Sequence, residues 1–265
     1  MLKSPLSWMG GKYRLRKTII GLIPEHKCFT EVFGGAAWTL FGKEKSKVEV
    51  YNDINKDLVN FFRVLKYHPE EFKEWISKDI VSREIFKEYK QVPGEYLTDI
   101  QKAVRFFYII KYSFASKGDC FGYSKVKGPI KSIFNTSFIE DVRNRLSNCY
   151  IENLPFEVLI DKYDSKDTFF YCDPPYFEVT QYKDKFYKED HLKLINTLKN
   201  IEGRFLVTIN DHPEVRKWYK DFNIKEVNVG YSISKDTSGR RKFGELIITN
   251  YDTSFKRATD FKKAV

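Results

Sequence analysis

Apolar and polar positions fall into two textures along this chain. Residues 28–33 (CFTEVF) and 48–53 (VEVYND) are short runs rich in β-branched and aromatic side chains, and each closes on a turn signal. Residues 36–45, between them, suit a helix. From about 56 to 115 the period becomes helical: Leu58, Phe61, Phe62 and Leu65, then Phe72, Trp75 and Ile76, then Val104, Phe107 and Tyr108. Residues 116–137 are rich in Gly and Lys and read as a loop or hairpin. Strand texture returns at 168–172 (TFFYC) and 204–210 (RFLVTIN), with helices near 188–200 and 213–221. The last two strand-like stretches are 223–234 and 245–251. Strands alternating with helices predict an α/β sheet with crossover connections, closed by an antiparallel hairpin at one edge. The helical block interrupts this alternation. It predicts a sheet domain built from 1–55 and 146–265, with 56–145 as an inserted, mainly helical lobe.

Composition narrows the function classes. The chain has 265 residues, 42% hydrophobic and 17% aromatic, enough to bury a core. Lys and Arg number 46 against 36 Asp and Glu, a formal charge of +10, which suits a polyanionic partner. No apolar run approaches the roughly 18 residues of a membrane span, and no signal-peptide core opens the chain. Cys28, Cys120, Cys149 and Cys172 are far apart, and the histidines complete no metal-ligand spacing. The expectation is a soluble, metal-free, cytosolic protein.

Three motifs could carry chemistry. Asp173-Pro174-Pro175-Tyr176 directly follows the apolar run 168–172. Two prolines cannot continue a central strand, so the chain leaves the sheet there on a stiff, extended backbone. The Asp173 carboxylate and the Pro174 carbonyl become neighbouring acceptors, with the Tyr176 ring beside them, a set that suits a planar base carrying an amino group. A plain strand-ending turn is the alternative. Phe33-Gly34-Gly35 ends another run before a helix, where backbone can approach a ligand closely. Asp53 ends the next run and is placed either to accept from ribose hydroxyls or to cap a helix. Near the N-terminus, Trp8 and Lys12 flank Gly10-Gly11, and Lys12 would match a carboxylate. Basic residues cluster at Lys125, Lys127 and Lys131, and again at Arg240, Arg241 and Lys242, in stretches suited to phosphate contact or to plain solvation.

In this order and spacing, SWMGGKY (7–13), EVFGGAAW (31–38), YNDIN (51–55), CDPPY (172–176) and SISKDTSGRRKFGELIITNY (232–251) resemble a known family over nearly the whole chain. That family is the Dam-type adenine-N6-specific DNA methyltransferases of the alpha group, D12 class. The resemblance implies a Rossmann-like, S-adenosylmethionine-dependent methyltransferase sheet with an inserted DNA-recognition lobe. It implies methyl transfer to the amino group of adenine in duplex DNA, with the base flipped into a DPPY pocket. By the same resemblance, Asp173, Pro174 and Tyr176 are catalytic. Trp8, Lys12, Phe33, Gly34, Asp53, Ile54, Phe156 and Asp173 hold the cofactor, and Lys125, Lys127, Arg240 and Arg241 meet DNA. No metal is implied; a cytoplasmic enzyme, bacterial or phage-encoded, is implied, and whether a cognate restriction endonuclease accompanies it stays open. Ser7 stands where members that methylate GATC often carry a basic residue, and the hairpin reads GDCFGYSKVKGPI, so the recognition sequence stays open. Two other readings are a methyltransferase acting on RNA or another amino group, and a non-catalytic basic DNA-binding protein.

Overall fold

The computed structural model describes residues 1–8, 10–126, 136–179, 185–228 and 244–253. In chain order its α-helices and strands are α1 (Arg16–Leu22), β1 (Cys28–Glu31), α2 (Trp38–Gly42), β2 (Val48–Asn52), α3 (Lys56–Tyr67), α4 (Pro69–Lys78), α5 (Arg83–Gln91), α6 (Asp99–Tyr112) and α7 (Phe138–Leu146). There follow β3 (Cys149–Glu152), α8 (Phe156–Tyr163), β4 (Thr168–Cys172), α9 (Lys188–Lys199), β5 (Arg204–Asn210), α10 (Pro213–Trp218), β6 (Asn223–Asn228) and β7 (Gly244–Thr249). The chain divides into two compact units.

One unit comprises 12–34, 46–52 and 154–265 and holds most of the sheet. Its strands run in the order β2-β1-β4-β5-β7-β6. β2, β1, β4 and β5 are parallel, with Cys28 opposite Val48 and Thr168, and Cys172 opposite Val207. β4 reads Thr-Phe-Phe-Tyr-Cys with every residue buried, as a central parallel strand covered on both faces must. Helices α8 and α9 cover one face: Leu159, Ile160, Leu194, Ile195 and Leu198 pack with Val50, Phe170 and Val207. β7 then enters antiparallel between β5 and β6, so the expected closing hairpin is present. β6 is described only to Asn228; the rest of the predicted stretch lies outside the described residues.

At the far end of β2, Asn52 is 1% exposed and works as a clasp. Its amide nitrogen donates to the carbonyls of Val32 (2.9 Å) and Leu154 (3.1 Å), and its oxygen accepts from the Leu154 N–H at 2.8 Å. It ties the β1 exit to the segment entering α8.

The other unit comprises 1–11, 35–45 and 53–153 and is mainly helical. α3 buries Leu58, Phe61, Phe62 and Leu65, the predicted stripe, and the Phe61 and Phe107 rings stack at 5.6 Å. Asn55, Ser82 and Thr98 cap α3, α5 and α6 through side-chain oxygens. The helix expected over 36–45 is only α2, because Ala37 sits in the left-handed region at φ 56° and delays its start. No described helix is long and apolar enough to cross a membrane.

Asn52→Ala would strand one buried N–H and two carbonyls. We expect a loss of about 2–4 kcal/mol, read from the urea midpoint of the sheet unit.

Candidate active site

The sheet unit gathers five polar side chains where β4 ends. Because Cys172 lies opposite Val207, the next residue, Asp173, falls beside Thr208, whose hydroxyl donates to Asp173 Oδ1 at 3.0 Å. The Lys12 ammonium lies 2.6 Å from the same Oδ1 and 3.6 Å from Glu245 Oε1. Glu245 enters from β7, paired with Asn210 of β5. Tyr176 donates its hydroxyl to Glu245 Oε1 at 2.6 Å, and the Lys12 ammonium stands 4.7 Å from the centre of its ring. The Asp173 side chain is 17% exposed, against 4% for Lys12 and 2% for Glu245, so Asp173 is the charged group most open to a ligand, with the half-buried Tyr176 beside it. Pro174 is buried directly behind it.

The charges do not cancel. Two carboxylates share one ammonium among the described residues, and Glu245 Oε2 is buried with no hydrogen-bond partner. Burial pushes the Asp173 carboxyl above the usual range, while Lys12 and the Thr208 hydroxyl pull it back. Glu245 is also raised, first by burial and then by Asp173, against the pull of Lys12 and of the Tyr176 hydroxyl. The backbone beyond the motif is fixed as well. Asn210 accepts from the Phe177 N–H at 3.0 Å and donates to the Phe177 carbonyl at 3.2 Å, a reciprocal pair that sets the direction in which Tyr176 leaves the strand.

Elsewhere in this unit, the Gly34 N–H donates to the Asn52 carbonyl at 2.7 Å. A Cβ on Gly34 would overlap the Tyr51 ring, so the protein's own packing requires glycine there. Phe33 packs against Phe156 at 5.7 Å, and Phe186 meets Phe33 edge-on at 5.6 Å, forming a three-ring group. Phe186, Thr208, Asn210 and Glu245 were not singled out from sequence. The signal that could have found the last three is a polar side chain inside an otherwise apolar, two-sided strand.

In the helical unit, Asp53 does not cap α3; Asn55 does. Asp53 accepts instead from the Gly35 N–H (2.8 Å) and the Asn55 N–H (2.9 Å). Asn153 donates to the carbonyls of Asp53 and Ile54 at 2.7 and 3.0 Å, pinning the turn, and Ile54 is 53% exposed. Trp8 lies against Phe106 at 5.8 Å and beside Gly35, where φ is +48° and an added Cβ would come within 3.2 Å of the indole. Lys125 is exposed near Tyr123, and the Arg83 guanidinium lies 5.0 Å from the centres of both the Phe121 and Tyr123 rings. Lys127, Lys131, Arg240, Arg241 and Lys242 lie outside the described residues. Among the described residues no cluster of three or more His, Cys, Asp or Glu is placed to hold a metal.

Comparison with known proteins bears directly on this arrangement. Residues 8–233 match the D12 class N6 adenine-specific DNA methyltransferases. The chain is 29% identical to a type II methyltransferase, M1.LlaDCHI, of Lactococcus lactis subsp. cremoris, over 92% of this chain and 94% of that protein. It is 25% identical to the DNA adenine methylase of Escherichia coli (strain K12), over 91% of this chain and 93% of the other. It is likewise 25% identical to the DNA adenine methylase of Vibrio cholerae serotype O1 over 91% of this chain. The match spans Lys12, the motif at the end of β4 and Thr208 of β5, and the chain belongs to the D12 class N6 adenine-specific DNA methyltransferase family.

Proposed function

We propose that this enzyme transfers a methyl group from S-adenosylmethionine to the exocyclic amino group of adenine in duplex DNA, at a base flipped out of the helix. The observation that carries this reading is Asp173: the one solvent-reachable carboxylate of a buried charge group, at the C-terminal edge of a parallel strand, inside the stretch 8–233 that matches the family. The chain's own groups suit the cofactor. An aromatic trio of Phe33, Phe156 and Phe186 suits a planar base, and a carboxylate-rich site with one ammonium suits a cationic ligand. Lys12 is assigned to the cofactor's carboxylate, Phe33, Gly34 and Phe156 to its adenine end. In the helical unit, Asp53 is assigned to the ribose hydroxyls, Ile54 to the adenine face and Trp8 to the cofactor.

When bound, the cofactor supplies a methyl group on a sulfonium centre. The amino lone pair of adenine is delocalised into its ring and is a poor nucleophile. Hydrogen bonds from that amino group to the Asp173 carboxylate and the Pro174 carbonyl draw the nitrogen toward a tetrahedral shape and expose the lone pair. Positive charge then builds on nitrogen, beside an ionised Asp173 that is already in position. Lys12 and Thr208 favour the ionised carboxylate against its burial and aim it, and Asp173 is the base assigned to the departing proton. Tyr176, its hydroxyl tied to Glu245, offers a fixed ring on which the extruded base stacks.

Lys125 is assigned to backbone phosphates, and Lys127, Arg240 and Arg241 to DNA contacts. The likeness to a type II methyltransferase supports a cognate restriction endonuclease as a partner of a cytoplasmic enzyme, bacterial or phage-encoded.

Tritium transfer to duplexes of random sequence, followed by base analysis, tests the whole reading; label on any base other than adenine, or none, removes it. Asp173→Asn keeps the side chain's shape but loses its charge, and single-turnover methylation should drop by about 10²–10³ while duplex affinity holds within a few-fold. Asp53→Ala should weaken cofactor binding by roughly 1–3 kcal/mol in calorimetry, the cost of hydroxyls left unpaired. Lys125→Ala should weaken binding to all duplexes alike and lower the salt slope by about one.

A further inference from the structure

In the reading above Glu245 accepts from Tyr176 and adds to the negative charge of the site, yet its placement is costly. It is 1% exposed, its Oε1 is shared by the Tyr176 hydroxyl and, at 3.6 Å, the Lys12 ammonium, and its Oε2 is buried without a partner. Lys12 is closer to Asp173, at 2.6 Å, so the one ammonium is largely committed before Glu245 draws on it. If stability alone governed this position, a neutral side chain would serve better, because a buried and incompletely paired carboxylate is destabilising. A glutamine would still accept the Tyr176 hydrogen bond.

Resting on the proposed cofactor, we infer that Glu245 is the residue that makes this site prefer the sulfonium cofactor over its thioether product. The two ligands differ by a methyl group and one positive charge. Among the described residues Lys12 balances Asp173 and leaves the Glu245 charge as the surplus of the group, which in a poorly screened interior would favour a cationic ligand. Glu245 is therefore a positioning residue that acts through its field and through the Tyr176 ring, and it touches no reacting atom. Once the methyl group has left, the ligand has lost the charge that Glu245 favours, so spent cofactor is exchanged for fresh.

The test is calorimetric titration of S-adenosylmethionine and S-adenosylhomocysteine into the full-length wild type, Glu245→Gln and Glu245→Asp, without DNA. The expected result is a loss of preference for the sulfonium of about tenfold in Glu245→Gln, with thioether affinity within about twofold. Glu245→Asp, which keeps the charge, should keep the preference. Melting should also move upward in Glu245→Gln, since the unpaired buried charge is gone. An unchanged ratio of affinities in Glu245→Gln, an equal loss of both ligands, or a variant that does not fold would each overturn the inference. Wild type that binds neither ligand would instead refute the cofactor assignment, so the two failures are distinguishable.

Discussion

An ammonium held between two carboxylates at the edge of a sheet is the constraint on which the site depends. Lys12 comes from the segment before α1, Asp173 from the end of β4, Thr208 from β5 and Glu245 from β7. Neither carboxylate nor the ammonium could be buried alone, since an isolated ion in a protein interior costs far more than any single contact returns. The sheet must therefore be in register across three strands before any of them is tolerated. The parallel pairing of Cys172 with Val207 puts Asp173 beside Thr208, and the antiparallel pairing of Asn210 with Glu245 brings the second carboxylate in from the opposite direction. A wholly parallel sheet would have placed that residue at the other end. The antiparallel strand, which contributes little to the core that a parallel one would not, is what completes the charge group.

The same geometry explains what could be read in advance. Proline pairs and glycine pairs announce themselves because each forbids or permits a backbone conformation by its own chemistry, so the exits of β1 and β4 were legible. The apolar period of 58–65 and 104–108 gave the helices because burial on one face repeats locally. Glu245, Thr208 and Asn210 carry only a weak local signal, a polar side chain in an apolar strand. Each is an ordinary polar residue in a β-rich run, and its meaning depends on which strand lies next to it, which is a long-range fact. β3 and α8 were missed for a different reason: four and eight residues are too few for a period to declare itself. Asp53 reads in sequence as a ribose acceptor or a helix cap, and in the structure its carboxylate accepts from the backbone of Gly35 and Asn55. The capping alternative failed because Asn55, two residues on, has the shorter reach to the first turn of α3.

One further consequence lies in the order in which this sheet can be made. β1 pairs with β4, and the neighbouring salt bridge from Lys27 to Asp167 spans 140 residues of chain. On the ribosome, the edge of β1 that will receive β4 stands open on the order of ten seconds while the intervening helices are synthesised. Those helices are built from local contacts and can settle first, whereas the strand waits with apolar side chains and unpaired amide groups exposed. Nascent chains of this protein are thus most vulnerable to association through β1, and slowing translation between residues 60 and 160 should aggravate aggregation more than slowing it anywhere after β4.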